Sequence, residues 1–365
     1  MVKFLTNRVI CIAFAILGGF VASAEGVRED FKDDNGNIVG YKVTGLGKNE
    51  NETAIVFTTS GVDIPWTVPA NLQNVQFLVV GGGGGGSATF GSGGGGGGVV
   101  TGIVSKVSKG SPLIVRVGKG GSGGAYGTKN NPGTDGHRSC ISISAVDLII
   151  AYGGGGGRIS EFGLEIGSGA GGWAQGSSSN PVVVSGKSKG NIGVIKSHED
   201  FVIANSVFLG NNGGDGNLGV NGIPNSSGSA GGGGANEPGK PSEGHGNTYA
   251  KGGNGGQGVN VSITGDLLVY GSGGGGGGYN NEYVKNGKGG DGAGSGGRFD
   301  NLDTTDNDDR YATDGIANRG GGGGGGGRGG NSGTGQTSAG GDGGSGIVVL
   351  RYKEPNTSGF KVIVR

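Results

Sequence analysis

Short apolar runs rich in β-branched residues alternate with glycine runs along most of this chain. Such runs have the length and composition of strands. In 112–117, Leu113, Val115 and Val117 fall on one face and Arg116 on the other, as in a strand with one buried face. No window has a helical period. The pattern predicts an all-β fold of about ten strands, among them 75–80, 99–107, 112–117, 140–152, 181–185, 200–209, 259–270, 346–352 and 360–364.

The glycine runs raise the question of whether they are flexible or built into the fold. Runs 81–86 and 93–98 each hold six glycines. In a polyproline-II-type helix every N–H and C=O points outward, and only glycine lets such backbones lie close enough to bond to each other. Six residues would span about 19 Å. We predict packed polyglycine-II rods; the alternative is flexible loops on a β-scaffold.

The amino-acid composition is compatible with an ordered fold and excludes some classes of protein. The chain has 98 Gly in 365 residues, far above average use, which usually indicates low complexity. However, 32% of residues are hydrophobic and the formal net charge is zero, whereas disordered chains combine low hydrophobicity with high net charge. Without a strict Gly-X-Y period, and with only 9 Pro, the chain is not collagen. The balanced charge argues against a nucleic-acid partner.

The N-terminus has the pattern of an export signal. Lys3 and Arg8 precede an apolar stretch, 9–22, that is short for a membrane span, and 22–24 fits a small-x-small cleavage site. We expect cleavage, no membrane-spanning segment afterwards, and a secreted or cell-surface protein; an uncleaved anchor is the alternative. The expected organisation is a signal peptide, 1–24, a lead segment, 25–54, a glycine-rich domain, 55–352, and a C-terminal strand or tail, 353–365.

The residues that carry chemistry form no recognisable catalytic or metal-binding motif. After cleavage Cys140 would be the single cysteine, and its strand-like context favours a buried, inert thiol over a reactive one. The histidines His137, His198 and His245 lack the spacing of a ligand pair, and no serine stands in a nucleophile-elbow context. The sequence therefore predicts no catalytic residue, no metal and no cofactor.

Calcium binding is the alternative that the acidic residues leave open. Segments 213–219 and 252–258 are similar to calcium-binding nonapeptide repeats, but an aspartate is misplaced in the first and replaced by Gln257 in the second. Segment 303–309 holds four aspartates without the EF-hand's turn glycine and closing glutamate. The simpler interpretation of 303–309 is a solvated acidic loop.

Three stretches carry a resemblance to a known family. They are WTVPANLQNVQFLVVGGGGGG (66–86), PLIVRVGKGGSGG (112–124) and GGDGGSGIVVLRY (340–352). They resemble the glycine-rich domain family of bacterial and phage extracellular proteins, similar to the polyglycine-II sandwich domain of phage tail-tip adhesins. The resemblance spans about 55–352 and implies a β-sandwich continuous with a bundle of polyglycine-II helices. It also implies that loops at the rod ends bind a receptor.

On this sequence the implied binding loops are 87–90, 125–131, 279–286 and 299–312. Aromatic side chains anchor many recognition surfaces, although each of these rings could instead pack against a glycine layer. The candidate ligand-binding residues are Phe90, Tyr126, Trp173, Tyr279, Tyr283 and Tyr311.

The sequence leads to one main functional hypothesis. It is a non-enzymatic, secreted or cell-surface structural or adhesion protein whose loops recognise a cell-surface or matrix glycan or protein ligand. The alternatives are an extracellular glycan-acting enzyme with a carboxylate pair in its loops, and a calcium-dependent matrix protein. The oligomeric state stays open.

Overall fold

The fold is entirely β in the part of the chain that the structure, a computed structural model, describes. The described residues are 26–48, 51–89, 91–125, 131–157, 166–177, 180–186, 190–216, 228–245, 249–278, 286–297, 311–327 and 338–354. The predicted signal peptide and residues 355–365 of the C-terminal segment, including the strand expected at 360–364, lie outside them. The strands are β1 (Val27–Lys32), β2 (Ile38–Leu46), β3 (Glu52–Phe57), β4 (Asp63–Thr67), β5 (Leu72–Val80), β6 (Val99–Val107), β7 (Pro112–Arg116), β8 (Ser139–Ile143), β9 (Val146–Ala151), β10 (Trp173–Ser177), β11 (Asn180–Val184), β12 (Gly193–Ile195), β13 (Phe201–Leu209), β14 (Glu243–His245), β15 (Tyr249–Lys251), β16 (Val259–Val261), β17 (Leu268–Tyr270) and β18 (Ile347–Lys353).

Two antiparallel sheets form the body of the fold. A seven-stranded sheet has the order β1-β2-β3-β18-β5-β6-β13, and a five-stranded sheet has the order β12-β9-β8-β7-β4. Three two-stranded hairpins, β10–β11, β14–β15 and β16–β17, complete the described strands. The all-β prediction is confirmed, although the described residues form 18 strands and not the expected ten or so.

One apolar core lies between the two large sheets. Phe57, Phe77 and Leu350 of the seven-stranded sheet belong to the same buried cluster as Leu113 and Ile149 of the five-stranded sheet. The two sheets therefore pack face to face, as in a sandwich. The predicted alternation in 112–117 is confirmed, because Leu113, Val115 and Val117 are fully buried while the Arg116 guanidinium pairs with Asp63 at 2.7 Å on the outer surface.

The seven-stranded sheet is covered on its second face as well. Leu78, Val80 and Val349 form a second buried cluster with Tyr270 and with the partly buried Leu268 of the β16–β17 hairpin. A strand that is buried on both faces needs apolar residues at successive positions. This explains the unbroken apolar runs in β3, β5 and β18, where simple alternation would predict polar residues at every second position.

Two predicted strands are hairpins instead. Residues 140–152 divide into β8 and β9, which pair antiparallel across a tight turn at Ser144 and Ala145. Both turn residues have positive φ, 47° and 65°, as a two-residue hairpin with a type I′ turn requires. Residues 259–270 likewise divide into β16 and β17. The single long strands expected there were wrong. Neither Ser nor Ala is a typical residue for the turn in 140–152, whereas Gly265, with φ of 98°, was an available turn signal in 259–270.

The lead segment 25–54 supplies strands to the sandwich. Strands β1 and β2 and the start of β3 extend the seven-stranded sheet. The Phe31 ring of β1 contacts Phe57 and Trp66 edge-on, with centroids 5.4 Å and 6.3 Å away. This aromatic cluster ties the N-terminal hairpin to both sheets.

Successive backbone amides of the first glycine run donate hydrogen bonds to three neighbouring segments in turn. Its amides form no bonds within the run itself; they donate in three directions in turn. The amides of 81, 84 and 87 donate to 92–98, those of 82, 85 and 88 donate to 131–137, and those of 83, 86 and 89 donate to 338–344. The repeat of three is the repeat that a polyglycine-II helix would have. The helical assignment itself stays a prediction.

Each long glycine run has six bonded neighbours. The carbonyls of 81–87 accept from 121–124, 154–157 and 323–326, which adds three segments to the three that its amides reach. Run 91–98 donates to 152–155, 230–233 and 320–326, and it accepts from 81–87, 168–171 and 274–277. Three donor directions and three acceptor directions give a hexagonal arrangement in which the buried backbone groups of these runs find partners.

Segments on the outside of this arrangement, such as 118–125 and 252–258, carry a side chain at every third position. In 118–125 the exposed residues are Lys119, Ser122 and Ala125, while Gly118, Gly121 and Gly124 are buried. In 252–258 the exposed residues are Asn254 and Gln257. A three-residue turn puts every third residue on the outer side of the bundle, so these positions tolerate side chains that the central runs exclude.

Candidate functional site

The glycine-rich segments that bond to one another around runs 81–86 and 93–98 form a bundle, called the glycine bundle below. One end of this bundle joins the strands and is its sheet end; the opposite end is its loop end. At the sheet end the segments join strands such as β5, β6 and β18. At the loop end, the amide of Ser87 donates to the carbonyl of Ser92 at 3.1 Å, that of Ala88 to Asn131 at 2.9 Å and that of Thr89 to Ser338 at 3.3 Å. These bonds bring together the flanks of three segments outside the described residues, namely 90, 126–130 and 328–337.

Two further loop flanks lie at the same end. The amide of Gly278 donates to the carbonyl of Gly297 at 3.1 Å, and these residues precede segments 279–285 and 298–310. The amide of Gly277 donates to Gly91 at 2.7 Å, which connects this pair with the first group. Flanks of all four predicted binding loops therefore converge at the loop end, although the sequence spreads them from 87 to 312.

The structure describes two of the six candidate ligand-binding residues. Tyr311 is exposed over 63% of its surface and lies two residues before Thr313, whose amide donates to Ser295 near the loop end. Trp173 begins β10, and the amide of Gly171 just before it donates to Gly93 at 3.0 Å, near the loop flank at 92. The other four, Phe90, Tyr126, Tyr279 and Tyr283, lie outside the described residues, so their roles stay predictions.

Side chains on the outer segments accept hydrogen bonds from neighbouring backbones. Asp342 Oδ1 accepts from the amide of Gly123 at 2.6 Å, and Asp135 Oδ1 accepts from Gly156 at 2.6 Å. Thr134 Oγ1 accepts from Ser122 at 2.8 Å in the same way. Where an outer segment lacks a further glycine neighbour, a side chain takes over the acceptor role. This role was not predicted from the sequence; its signal is the three-residue spacing of the polar residues.

The two segments compared with calcium-binding repeats use their polar side chains for such contacts. Asp215 Oδ1 accepts from the amide of Gly186 at 2.9 Å, and Gln257 Oε1 accepts from the amide of Asp291 at 3.3 Å. Within the described ranges, no group of three or more His, Cys, Asp or Glu side chains could hold a metal ion. The acidic segment 303–309 lies outside these ranges.

Cys140 and Tyr270 are buried titratable groups. Burial raises the pKa of the Cys140 thiol, and the side chain is 4% exposed, in agreement with the predicted buried cysteine. Burial also raises the pKa of Tyr270 to about 12, a shift that the positive charge of Arg319, 5.6 Å from the ring centroid, partly opposes. Both groups therefore stay protonated at neutral pH and serve packing.

A polar groove of about 550 Å³ lies where β3 and β5 begin and β18 ends. Its lining includes Glu52, Gln76 and Arg351, and the Arg351 guanidinium contacts Glu52 Oε2 at 2.7 Å. A second lining carboxylate, Glu354, accepts from Thr53 Oγ1 at 2.7 Å. Both carboxylates are thus held by neighbouring side chains of the sheet.

None of the described residues belongs to a helix that is long and apolar enough to cross a bilayer. Comparison with curated proteins found no match. The sequence pattern of a glycine-rich domain, by contrast, matches residues 58–353, which includes both long glycine runs and all but the N-terminal strands of the sandwich. The chain therefore belongs to the glycine-rich domain family.

Proposed function

We propose that this protein is a secreted or cell-surface adhesion module that recognises a surface or matrix glycan or protein through loops at the loop end. The observation that carries the proposal is the convergence of loop flanks there, joined by the bonds from Ser87 to Ser92 and from Gly278 to Gly297. A binding surface built from distant parts of a chain needs a scaffold that holds its parts at fixed positions.

The glycine bundle is suited to be that scaffold. Among the described residues, its contacts are mainly backbone hydrogen bonds between the segments themselves. A loop can therefore change in sequence or length while the segments on either side keep their neighbours. Rigid elements that carry variable loops are the usual arrangement of recognition surfaces.

Alanine substitutions test the proposal. Tyr279→Ala, Tyr283→Ala and Tyr311→Ala, alone and combined, should each keep the parent's melting temperature and lower binding to immobilised glycans and cell-wall preparations. Leu267→Ala is the matched control, because Leu267 is 69% exposed, similar to Tyr311, but lies in the β16–β17 turn at the sheet end. Unchanged binding across the triple variant, or an equal loss in the control, would contradict the proposal.

Secretion is tested separately. N-terminal sequencing of protein collected outside the cell should begin at Glu25, after the predicted cleavage site. A start at Met1 would contradict cleavage without bearing on the binding loops.

A further inference from the structure

The two edges of the seven-stranded sheet differ in character. Edge strand β1, VREDFK, carries four charged side chains in six residues. Edge strand β13, FVIANSVFL, carries none in nine. Charged side chains are a common means by which proteins keep an edge strand from pairing with another chain. Strand β1 has this protection, and β13 lacks it.

Apolar side chains on β13 are open to solvent. Val207 is 52% exposed and Phe208 is 41% exposed, while the inner edge of β13 pairs with β6 from Phe201 to Leu209. No described strand pairs with its outer edge. Ser197 Oγ accepts from the amide of Ile203 at 3.1 Å, so the chain itself covers the beginning of this edge. The described residues leave the part from 204 to 209 open to a partner.

We infer that β13 pairs antiparallel with β13 of a second copy of this chain and joins the two seven-stranded sheets into one. Antiparallel pairing is compatible with a two-fold axis, the commonest symmetry of protein dimers. The acidic residues Glu199 and Asp200 precede the strand, so antiparallel pairing places those of the two copies at opposite ends of the interface. The pairing segment ANSVFL has no charge that would oppose a copy of itself.

The symmetry has a consequence for the proposed adhesion function, on which this step rests. A two-fold axis that relates antiparallel strands reverses the strand direction between the copies. The glycine bundle continues from the Leu209 end of β13, so the two loop ends point in opposite directions. Such a dimer would bridge two surfaces, whereas parallel display would strengthen attachment to one surface.

Sedimentation of the full chain tests the dimer without any ligand. The parent should be a dimer at micromolar concentration. Val207→Lys and Phe208→Lys should each raise the dimer dissociation constant at least tenfold. Val27→Lys is the matched control: Val27 is 69% exposed on the protected edge β1, and this change should leave the dimer intact. A monomeric parent, or equal effects of Val207→Lys and Val27→Lys, would overturn the inference.

Cysteines introduced one at a time test the symmetry, with the native Cys140 buried and free. Two-fold antiparallel pairing puts one residue opposite its own copy, with Cα atoms about 4.5–5.5 Å apart, within reach of a disulfide. In a scan of positions 204–208, one variant should cross-link on mild oxidation at least tenfold faster than both neighbours. Cross-linking at equal rates along the strand would contradict the inference. The inference would also be contradicted if the full chain were a monomer and deletion of 355–365 converted it to a dimer. That result would mean that 355–365 covers β13 in the full chain.

The two proposals fail in distinguishable ways. If the protein dimerises through β13 but loop variants bind as the parent does, the adhesion proposal fails and the dimer stands. If the protein is monomeric and the loop variants lose binding, the dimer fails and the adhesion proposal stands.

Discussion

The amide of Gly84 donates to the carbonyl of Gly95 at 2.9 Å, which joins the two six-glycine runs side by side. Each run is buried along its whole length and bonds to six segments. Glycine loses more conformational freedom on folding than any other residue, so ordered runs need a compensating interaction. Lateral backbone bonds between close-packed segments supply it.

The first prediction concerns the close approach of these backbones. A Cβ at Gly83 would overlap the carbonyl oxygen of Gly321, and one at Gly95 would overlap that of Ser168. Gly83→Val and Gly95→Val should each destabilise the fold by about 3 kcal/mol, the upper end of typical overpacking costs, because backbone atoms cannot move aside as a side chain can. Chemical denaturation measures the loss, and unchanged midpoints for both variants would speak for flexible loops.

The second prediction compares adjacent residues in an outer segment. A Cβ at Gly121 would overlap the carbonyl oxygen of Thr134, whereas Ser122 already carries an exposed side chain. Gly121→Ala should destabilise by about 1–3 kcal/mol. Ser122→Ala should stay within about 0.5 kcal/mol of the parent. Equal losses of melting temperature for the two variants would show that it does not matter whether a residue faces the bundle or the solvent, contrary to the three-residue repeat.

The third prediction concerns a side chain that accepts for the bundle. Removing Asp342 Oδ1 leaves the amide of Gly123 without its acceptor. Asp342→Ala should cost about 1 kcal/mol of unfolding free energy. Asp342→Asn keeps an oxygen at the same place and should restore most of that loss. If Asn is as damaging as Ala, the bond to Gly123 is not the source of the effect.

The strands were predictable where local pattern decides them. The prediction at 99–107 coincides with β6, and that at 75–80 lies within β5. Strands β1 and β2, in the predicted lead segment 25–54, were not among the predicted strands; charged side chains interrupt their apolar pattern, and pairing with β3 orders them. The hairpin turn at Ser144 gave no sequence signal, since its positive φ is imposed by the strands on either side.

The glycine bundle was predictable in kind but not in arrangement. The all-glycine runs already exclude side chains, which suggested close packing. Which segment lies beside which could not be read from the sequence, because identical glycines carry no information about their partners. The spacing of Lys119, Ser122 and Ala125 was a signal in the sequence that the prediction did not use. Of the candidate binding residues, Tyr311 has an exposed ring, and its role in binding stays a prediction.

The fourth prediction concerns alkaline pH. Because burial raises the pKa of Tyr270 to about 12, above the value near 10 of an unfolded tyrosine, its contribution to stability is complete below pH 10. It is lost as pH rises through 12. Burial raises the pKa of Tyr352 as well, and its effect has the same sign. Tyr270→Phe should therefore reduce the loss of unfolding free energy between pH 10 and 12 without abolishing it. An unaltered pH dependence would contradict the assignment.

Amide hydrogen exchange along 81–86 and 93–98 tests the central claim most directly. If the runs bond laterally to six neighbours, their amides exchange only through opening of the bundle and should be protected to nearly the same degree as those of β5 and β6. Exchange as fast as that of a free glycine peptide, with β5 and β6 still protected, would mean that the runs are flexible linkers and that the scaffold does not exist.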